Sequence, residues 1–297
     1  MLVGGDQIYA GVELGGTKCI CILARGPDDI LAREVVPTVT AEATLIEIDA
    51  ILKGWRSEYQ IASLGIASFG PLDLDPSSPS YGQFTSTPKA GWPGATLLQL
   101  SGGLPLTVDT DVNGAALAEG YWGAAAALRA WCYITIGTGV GVGTVIDGSP
   151  IHGIGHTETG HMLIPTTGSW KGICPYHGNC VEGLVSGPAL SARTGMPSCD
   201  IPDNHPVWDD VAKEIAWLCH NLVFTVVPQR IVFGGGIIQR RPHLLPRIRD
   251  HLRLSLAGYA YGEDVGGQVD NFLVGAELGD DAGPLGAVAL AATAKTL

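Results

Sequence analysis

Charge is scarce in this sequence, and positive charge scarcer still. Only 15% of residues are Asp, Glu, Lys or Arg, and 17 basic side chains against 29 acidic ones leave a formal net charge of −12. That deficit argues against nucleic acid and anionic membrane surfaces as partners. It leaves room for a phosphate ligand, because backbone N–H groups at glycine turns and helix starts hold phosphate without a basic patch. A long apolar run is also missing. The most apolar stretch, Cys132 to Ile146, is interrupted by Gly137, Gly139, Gly141 and Gly143 and is too short to cross a bilayer. The opening residues, MLVGGDQIYAGVELGG, show no basic segment followed by an apolar one, so no signal peptide is expected. These absences predict a soluble, cytoplasmic protein.

A disulfide framework is absent as well. Seven cysteines stand scattered at 19, 21, 132, 174, 180, 199 and 219, an odd number with no framework spacing. Cys19, Cys21, Cys132 and Cys219 fall in apolar patterns and are expected to be small buried residues. No CxxC pair, no P-loop GxxxxGK[ST] and no GxGxxG opening a helix occurs.

What the chain does have is glycine, 42 in 297 residues, roughly twice ordinary usage and without a collagen-like period. At this length about two domains are expected. Apolar alternation predicts strands over 8–12 and 19–23, joined by Gly15-Gly16-Thr17. Further strands are expected over 63–67, 106–109, 130–136, 142–147 and 230–233. Helical spacing is expected over 41–54, 114–122, 185–194, 206–226, 243–254 and about 283–295, with a Pro-, Ser- and Gly-rich loop over 72–92. The order is α/β with antiparallel hairpins, hence mixed sheets. The unit strand, Gly/Thr turn, strand occurs twice, at 8–23 and 130–147, which reads as an internal duplication.

Three glycine turns follow strands: Gly15-Gly16-Thr17, Gly137-Thr138-Gly139 and Gly234-Gly235-Gly236. Two of them set a threonine hydroxyl beside exposed backbone N–H groups. Together, in a duplicated frame, they favour a cradle for nucleotide phosphates. Asp111 ends a buried strand and precedes a helix, a placement that suits a rigidly held general base as well as a helix cap. On the residues alone both roles stand open.

In order, GVELGGTK, SFGP, TDVNGAALAE, TIGTGVGVG, ETGH, CPYHGNCVEG, FGGG and LGDDAGPLGA resemble the ROK sugar kinases, and the details GVELGGTK, YGQFTSTPKAGW and CPYHGNC are most similar to the bacterial fructokinases among them. The resemblance runs from residue 8 to 295. It implies a two-lobed actin/hexokinase/Hsp70-like (ribonuclease H-like) fold with mixed sheets and a small zinc-binding segment. The small lobe would comprise 1–116 plus about 283–297, and the large lobe 117–282 with the zinc segment at 156–182. ATP with Mg²⁺ would lie across Gly15, Gly16, Thr17, Lys18, Gly137, Thr138, Gly139, Gly234, Gly235, Gly236 and Gly283. Asp111 would be the base that accepts the proton of a hexose hydroxyl, with Asp109 the lesser candidate. Asn113, Glu158, His161 and Glu182 would bind the sugar, and Glu13, where many relatives carry Asp, would hold Mg²⁺ through water. Lys18 reads either as a phosphate contact or as a solvated strand-edge charge.

Cys174, His177 and Cys180 recur at intervals of three, and His161 stands upstream. Four N/S ligands form a closed tetrahedral set for a structural Zn²⁺, with no position left for water. His161 occupies the family's ExGH position, while His152 and His156 compete for the fourth place. A zinc deaminase reading fails because the PCxxC signature is unmet. The implied reaction is ATP-dependent phosphorylation of a hexose, D-fructose to fructose 6-phosphate. Glucokinase, mannokinase and N-acylhexosamine kinase are the alternatives within the family, and a non-catalytic sugar-binding protein the alternative outside catalysis. Sugar-responsive repressors among the relatives need a DNA-binding segment ahead of the first strand, for which the sequence shows neither room nor charge. A homodimer is expected. Arg240, Arg241, Arg247, Arg249 and Arg253 are expected on a solvated face, and Trp92 and Trp170 either in a pocket or in packing.

Overall fold

The computed structural model describes residues 6–294 apart from Pro88 and Thr167. The chain runs β1 (Ile8–Leu14), β2 (Lys18–Gly26), β3 (Asp29–Pro37), α1 (Ala41–Glu58), β4 (Ile61–Ser68), β5 (Leu106–Thr110) and α2 (Asp111–Trp122). It continues through β6 (Ala130–Ile136), β7 (Val140–Ile146), β8 (Ser149–Pro150), α3 (Val181–Val185), α4 (Gly187–Thr194), α5 (Val207–Thr225) and β9 (Arg230–Gly234). It ends with α6 (Gly236–Arg240), α7 (Leu244–Leu256), α8 (Gly262–Gly267), α9 (Val269–Phe272), β10 (Leu273–Gly275) and α10 (Ala282–Thr293). Two compact units result. One takes residues 1–127, 149–157 and 280–297; the other takes 128–148 and 158–279.

In the first unit the strand order is β3-β2-β1-β4-β5, with β1 antiparallel to β2 and parallel to β4, and β4 parallel to β5. Strand periodicity sorts β1, β2 and β4 onto two faces. Ala10, Val12, Leu14, Cys19, Cys21, Leu23, Leu64 and Ile66 join Leu45, Ile48 and Leu52 of α1 in one core. Thr40 caps α1, its hydroxyl accepting from Ala43 N–H at 3.4 Å, and the apolar i, i+3, i+4 stripe does the rest. The opposite face receives α10, which packs on β1, β2 and β4 as well as on α2. Gly65 permits that approach, because a Cβ there would run into the backbone of Ala287 and Ala291.

The second unit repeats this frame. β6 is antiparallel to β7 and parallel to β9, and β9 is parallel to β10. The series β7-β6-β9-β10 therefore matches β2-β1-β4-β5 in order and direction, and the duplication read from the sequence exists as topology. The core of this unit gathers β6, β7 and β9 with α5 and α7, including Trp208, Ile215 and Phe233.

The loop expected over 72–92 is found, and the expectation for the arginines needs correction. The 72–92 stretch has no regular helix or strand but is not loose: Trp92 is fully buried, stands edge-on to Phe69 and Phe84 at 5.0 Å, and donates from Nε1 to Val39 C=O at 3.0 Å. The arginines beyond 240 are not simply solvated. Arg241 lies over the Trp208 ring at 5.3 Å and donates to the carbonyls of Cys199 and Ile201 at 3.0 Å, while Arg249 donates to Leu273 C=O at 2.6 Å. These guanidiniums satisfy carbonyls of the 199–201 loop and of the first residue of β10. Trp170 packs against the second core from a partly buried position.

Candidate active site and metal centre

Open α/β sheets take ligands at the carboxyl ends of their parallel strands. In the first unit that edge holds Glu13 near the end of β1 and Asp111 directly after β5. Glu13 is partly buried, and its carboxyl is pushed up to about 7, first by burial and then by the Asp111 carboxylate; Lys18 and Arg33 pull the other way. A divalent cation would relieve that crowding of carboxylates, so the donor set fits Mg²⁺, which favours oxygen ligands. Gly283, at the start of α10, leaves the space: a Cβ there would meet Glu13 Oε1. The adjoining turn is tightly made. Gly15 N–H donates to Lys18 C=O at 3.0 Å, Thr38 Oγ1 donates to Gly15 C=O at 2.8 Å, and Gly16, Thr17 and Lys18 are exposed.

Asp111 is the first residue of α2, not its cap. Thr110 takes the capping position, its hydroxyl accepting from Asn113 N–H at 3.2 Å, and Asp111 Oδ1 accepts from Val112 N–H at 2.8 Å. A carboxylate in the first turn is favoured in its charged form by the helix dipole. Asp109 has both oxygens engaged. Oδ1 accepts from Thr110 N–H at 2.7 Å and from Asn113 Nδ2 at 2.8 Å, and Oδ2 lies 3.0 Å from His152 Nε2. Asn113 is thus buried, with its Nδ2 donating to Asp109.

In the second unit the glycine turns after β6 and β9 lie side by side, since Thr135 pairs with Gly234. Gly235 has φ +84 and its Cβ would strike the Ile136 backbone, so only glycine allows the two turns to meet. Gly137 N–H donates to Gly139 C=O at 2.9 Å, and Gly187 N–H to Gly137 C=O at 2.7 Å. Glu182 Oε2 accepts from Val140 N–H at 3.1 Å, and Thr138 lies within the same turn. Glu158 stands just ahead of the short turn Thr159–His161, its carbonyl accepting from His161 N–H at 2.9 Å.

The same unit brings His161, Cys174, His177 and Cys180 together, their ligand atoms all within 4.8 Å of one another. Cys174 and Gly178 exchange backbone hydrogen bonds, which folds CPYHG into a tight turn, and Cys180 caps α3 with Sγ accepting from Gly183 N–H at 3.4 Å. Cys174 Sγ lies 3.8 Å from His161 Nδ1 and 3.7 Å from His177 Nδ1, and Cys180 Sγ lies 3.5 Å from His161 Nδ1. Tetrahedral zinc with ordinary Zn–S and Zn–N bonds spaces sulfur and nitrogen by about 3.6 Å. The four residues therefore fit a closed zinc site. His152 and His156, the competing candidates, are engaged elsewhere in the first unit, His152 on Asp109 and His156 Nε2 accepting from Leu72 N–H at 3.3 Å.

Two further contacts escape the sequence reading, which weighs His152 only as a zinc ligand. Lys89 Nζ donates to Gly16 C=O at 2.6 Å on the first phosphate turn, and His152 reaches the Asp109–Asn113 pair. Neither contact leaves a local pattern, because both partners are distant in sequence.

A duplicated β-sheet frame with glycine turns at its strand ends and an acidic residue at the head of a helix defines the actin/hexokinase-like class of α/β proteins. Within that class the chain belongs to the ROK family, whose profile matches residues 9–294. A fructokinase of Zymomonas mobilis subsp. mobilis is 41% identical over 97% of this chain and 98% of its own. A fructokinase of Pediococcus pentosaceus is 36% identical over 97% and 99%. Among solved structures, the ROK hexokinase of Thermus thermophilus superposes with TM-score 0.73 at 25% identity, covering 96% of this chain and 98% of its own. A ROK glucokinase of Streptomyces griseus, in complex with glucose and AMPPNP, superposes with TM-score 0.71 at 25% identity over 96% and 99%. No helix among the described residues is long and apolar enough to cross a membrane.

Proposed function

We propose that this chain transfers the γ-phosphoryl group of ATP to the 6-hydroxyl of D-fructose. The acceptor rests on the near full-length likeness to fructokinases, and the chemistry on the placement of Asp111 at the head of α2 beside Glu13. As the sugar oxygen bonds to the γ-phosphorus, the bond to ADP breaks and Asp111 takes the hydroxyl proton. Mg²⁺ held near Glu13 through water would offset phosphate charge. Gly15, Gly16, Thr17, Lys18, Gly137, Thr138, Gly139, Gly234, Gly235, Gly236 and Gly283 would be the nucleotide contacts. Glu158, His161 and Glu182 would take sugar hydroxyls, with Asn113 supporting Asp109. Zinc on His161, Cys174, His177 and Cys180 would supply folding energy and aim, because a closed four-ligand site has no place for substrate. By likeness to the family the protein works as a cytoplasmic homodimer, which light scattering on the purified chain tests.

A coupled ADP-release assay over fructose, glucose, mannose and N-acetylmannosamine decides the acceptor. Fructose should give the highest kcat/KM. Higher turnover on glucose would reassign the substrate, and no turnover on any sugar would leave a binding protein.

A further inference from the structure

His152 lies outside every motif that the kinase reading uses, yet it meets Asp109, the carboxylate two residues ahead of the proposed base. The Asp109 side chain is only 6% exposed, and His152 Nε2 sits 3.0 Å from its Oδ2. Its Oδ1 accepts from Thr110 N–H at 2.7 Å and from Asn113 Nδ2 at 2.8 Å. Thr110 and Asn113 flank Asp111 on either side and are themselves tied, Asn113 N–H donating to the Thr110 hydroxyl. One oxygen of Asp109 thus fixes the residues around Asp111, and the other is held by the imidazole.

The imidazole is in turn placed by its own segment. β8 packs on α2, and the hairpin that follows is closed by a backbone bridge between His152 and His156 and by Gly153 N–H donating to Gly155 C=O at 3.0 Å. His156 anchors the hairpin a second time through Leu72 N–H at 3.3 Å. Removing the His152 donor would leave a nearly buried carboxylate oxygen unpaired. The carboxylate would turn to recover a partner, taking Thr110 and Asn113 with it.

We propose that His152 is a positioning residue for phosphoryl transfer: it holds the Asp109 carboxylate so that the head of α2 presents Asp111 in one fixed orientation. The proposal rests on Asp111 being the base. Its effect belongs on kcat, because the geometry it secures is that of proton acceptance, and misplacing a reacting group is costly in rate.

The test is steady-state kinetics of the full chain with fructose and ATP–Mg²⁺, comparing His152→Phe, His152→Gln and Asp111→Asn with wild type. His152→Phe should lower kcat on the order of tenfold while both KM values stay within about twofold. His152→Gln, whose amide nitrogen reaches the place of Nε2, should recover most of that loss. If circular dichroism shows the Phe variant misfolded, His152→Ala carries the same comparison. Wild-type kcat in His152→Phe, a rise in KM without a fall in kcat, or a Gln variant as slow as Phe would overturn the proposal while an inactive Asp111→Asn keeps the base assignment. Full activity of Asp111→Asn would remove the base assignment and this proposal with it.

Discussion

His161 presents its two ring nitrogens to different partners: Nδ1 lies 3.5 Å from Cys180 Sγ, and Nε2 faces Glu182 Oε1 at 4.0 Å. Because Glu182 Oε2 also accepts from Val140 N–H, the cysteine cluster, the carboxylate and the glycine turn after β6 form one connected piece. Residues behind a metal are oriented by it, and their loss costs about 10- to 100-fold in comparable sites. Chelation should therefore remove one zinc per chain and raise the KM for fructose by about tenfold. Zinc content by mass spectrometry, followed by kinetics before and after chelation, checks this. An unchanged KM in metal-free protein would detach the cluster from the sugar site.

Cys180 has two duties that substitution can separate. It is a proposed zinc ligand, and it caps α3 by accepting from Gly183 N–H. Serine is a good helix cap but a poor zinc ligand, so Cys180→Ser keeps the cap and removes the metal. Calorimetry should show Tm lower by about 5 °C or more, with added zinc no longer raising it. A Tm equal to wild type would mean that the cluster contributes nothing to folding.

Gly65 beneath α10 and Gly283 in its first turn should answer the same substitution differently. In Gly65→Ala the new methyl meets the backbone of Ala287 and Ala291, which cannot move without shifting the helix. Overpacking of that kind costs about 1–3 kcal/mol or more, so a lower denaturation midpoint is expected. In Gly283→Ala the methyl's nearest neighbours are the carboxylate atoms of Glu13, a side chain that can swing away. Stability should be nearly kept there, while the KM for ATP–Mg²⁺ rises. Equal loss of stability in both variants would contradict the distinction.

Local signals were legible in the sequence and long-range ones were not. The glycine turns at 15–17, 137–139 and 234–236, the strand into Asp111 and the His161–Cys180 set are read within short windows, and the structure places them at strand ends or in one cluster. β3 was missed because its apolar residues do not alternate into one core: Ile30 and Val35 are exposed while Val36 is buried. Helical spacing starts α2 at Gly114, whereas the structure starts it at Asp111 with Thr110 as its cap. Arg241 on Trp208 and His152 on Asp109 are tertiary pairings with no spacing to betray them. Likeness assigns Asn113 to a sugar hydroxyl or the adjoining backbone, and the fold adds its hydrogen bond to Asp109.

The His152–Asp109 pair should also show in the pH dependence of stability. The hydrogen bond to Asp109 raises the His152 pKa above its ordinary value, against a smaller opposing effect of burial. A raised histidine pKa means that the folded chain holds its proton more tightly than the unfolded one. The stabilisation is then fully present below about pH 6.5, the unfolded value, and is lost as pH rises through the higher folded value. With 35% of the His152 side chain exposed, solvent screens the pair and keeps the effect small. Glu13, pushed up to about 7, titrates in the same window. It is present in wild type and in His152→Gln, so its contribution cancels in the difference. The Tm of wild type minus that of His152→Gln, measured from about pH 5.5 to 8.5 at low salt, should be largest at the acidic end and shrink above neutrality. A difference that does not vary with pH would show that His152 binds no extra proton affinity in the folded chain, and a difference growing with pH would reverse the sign of the pairing.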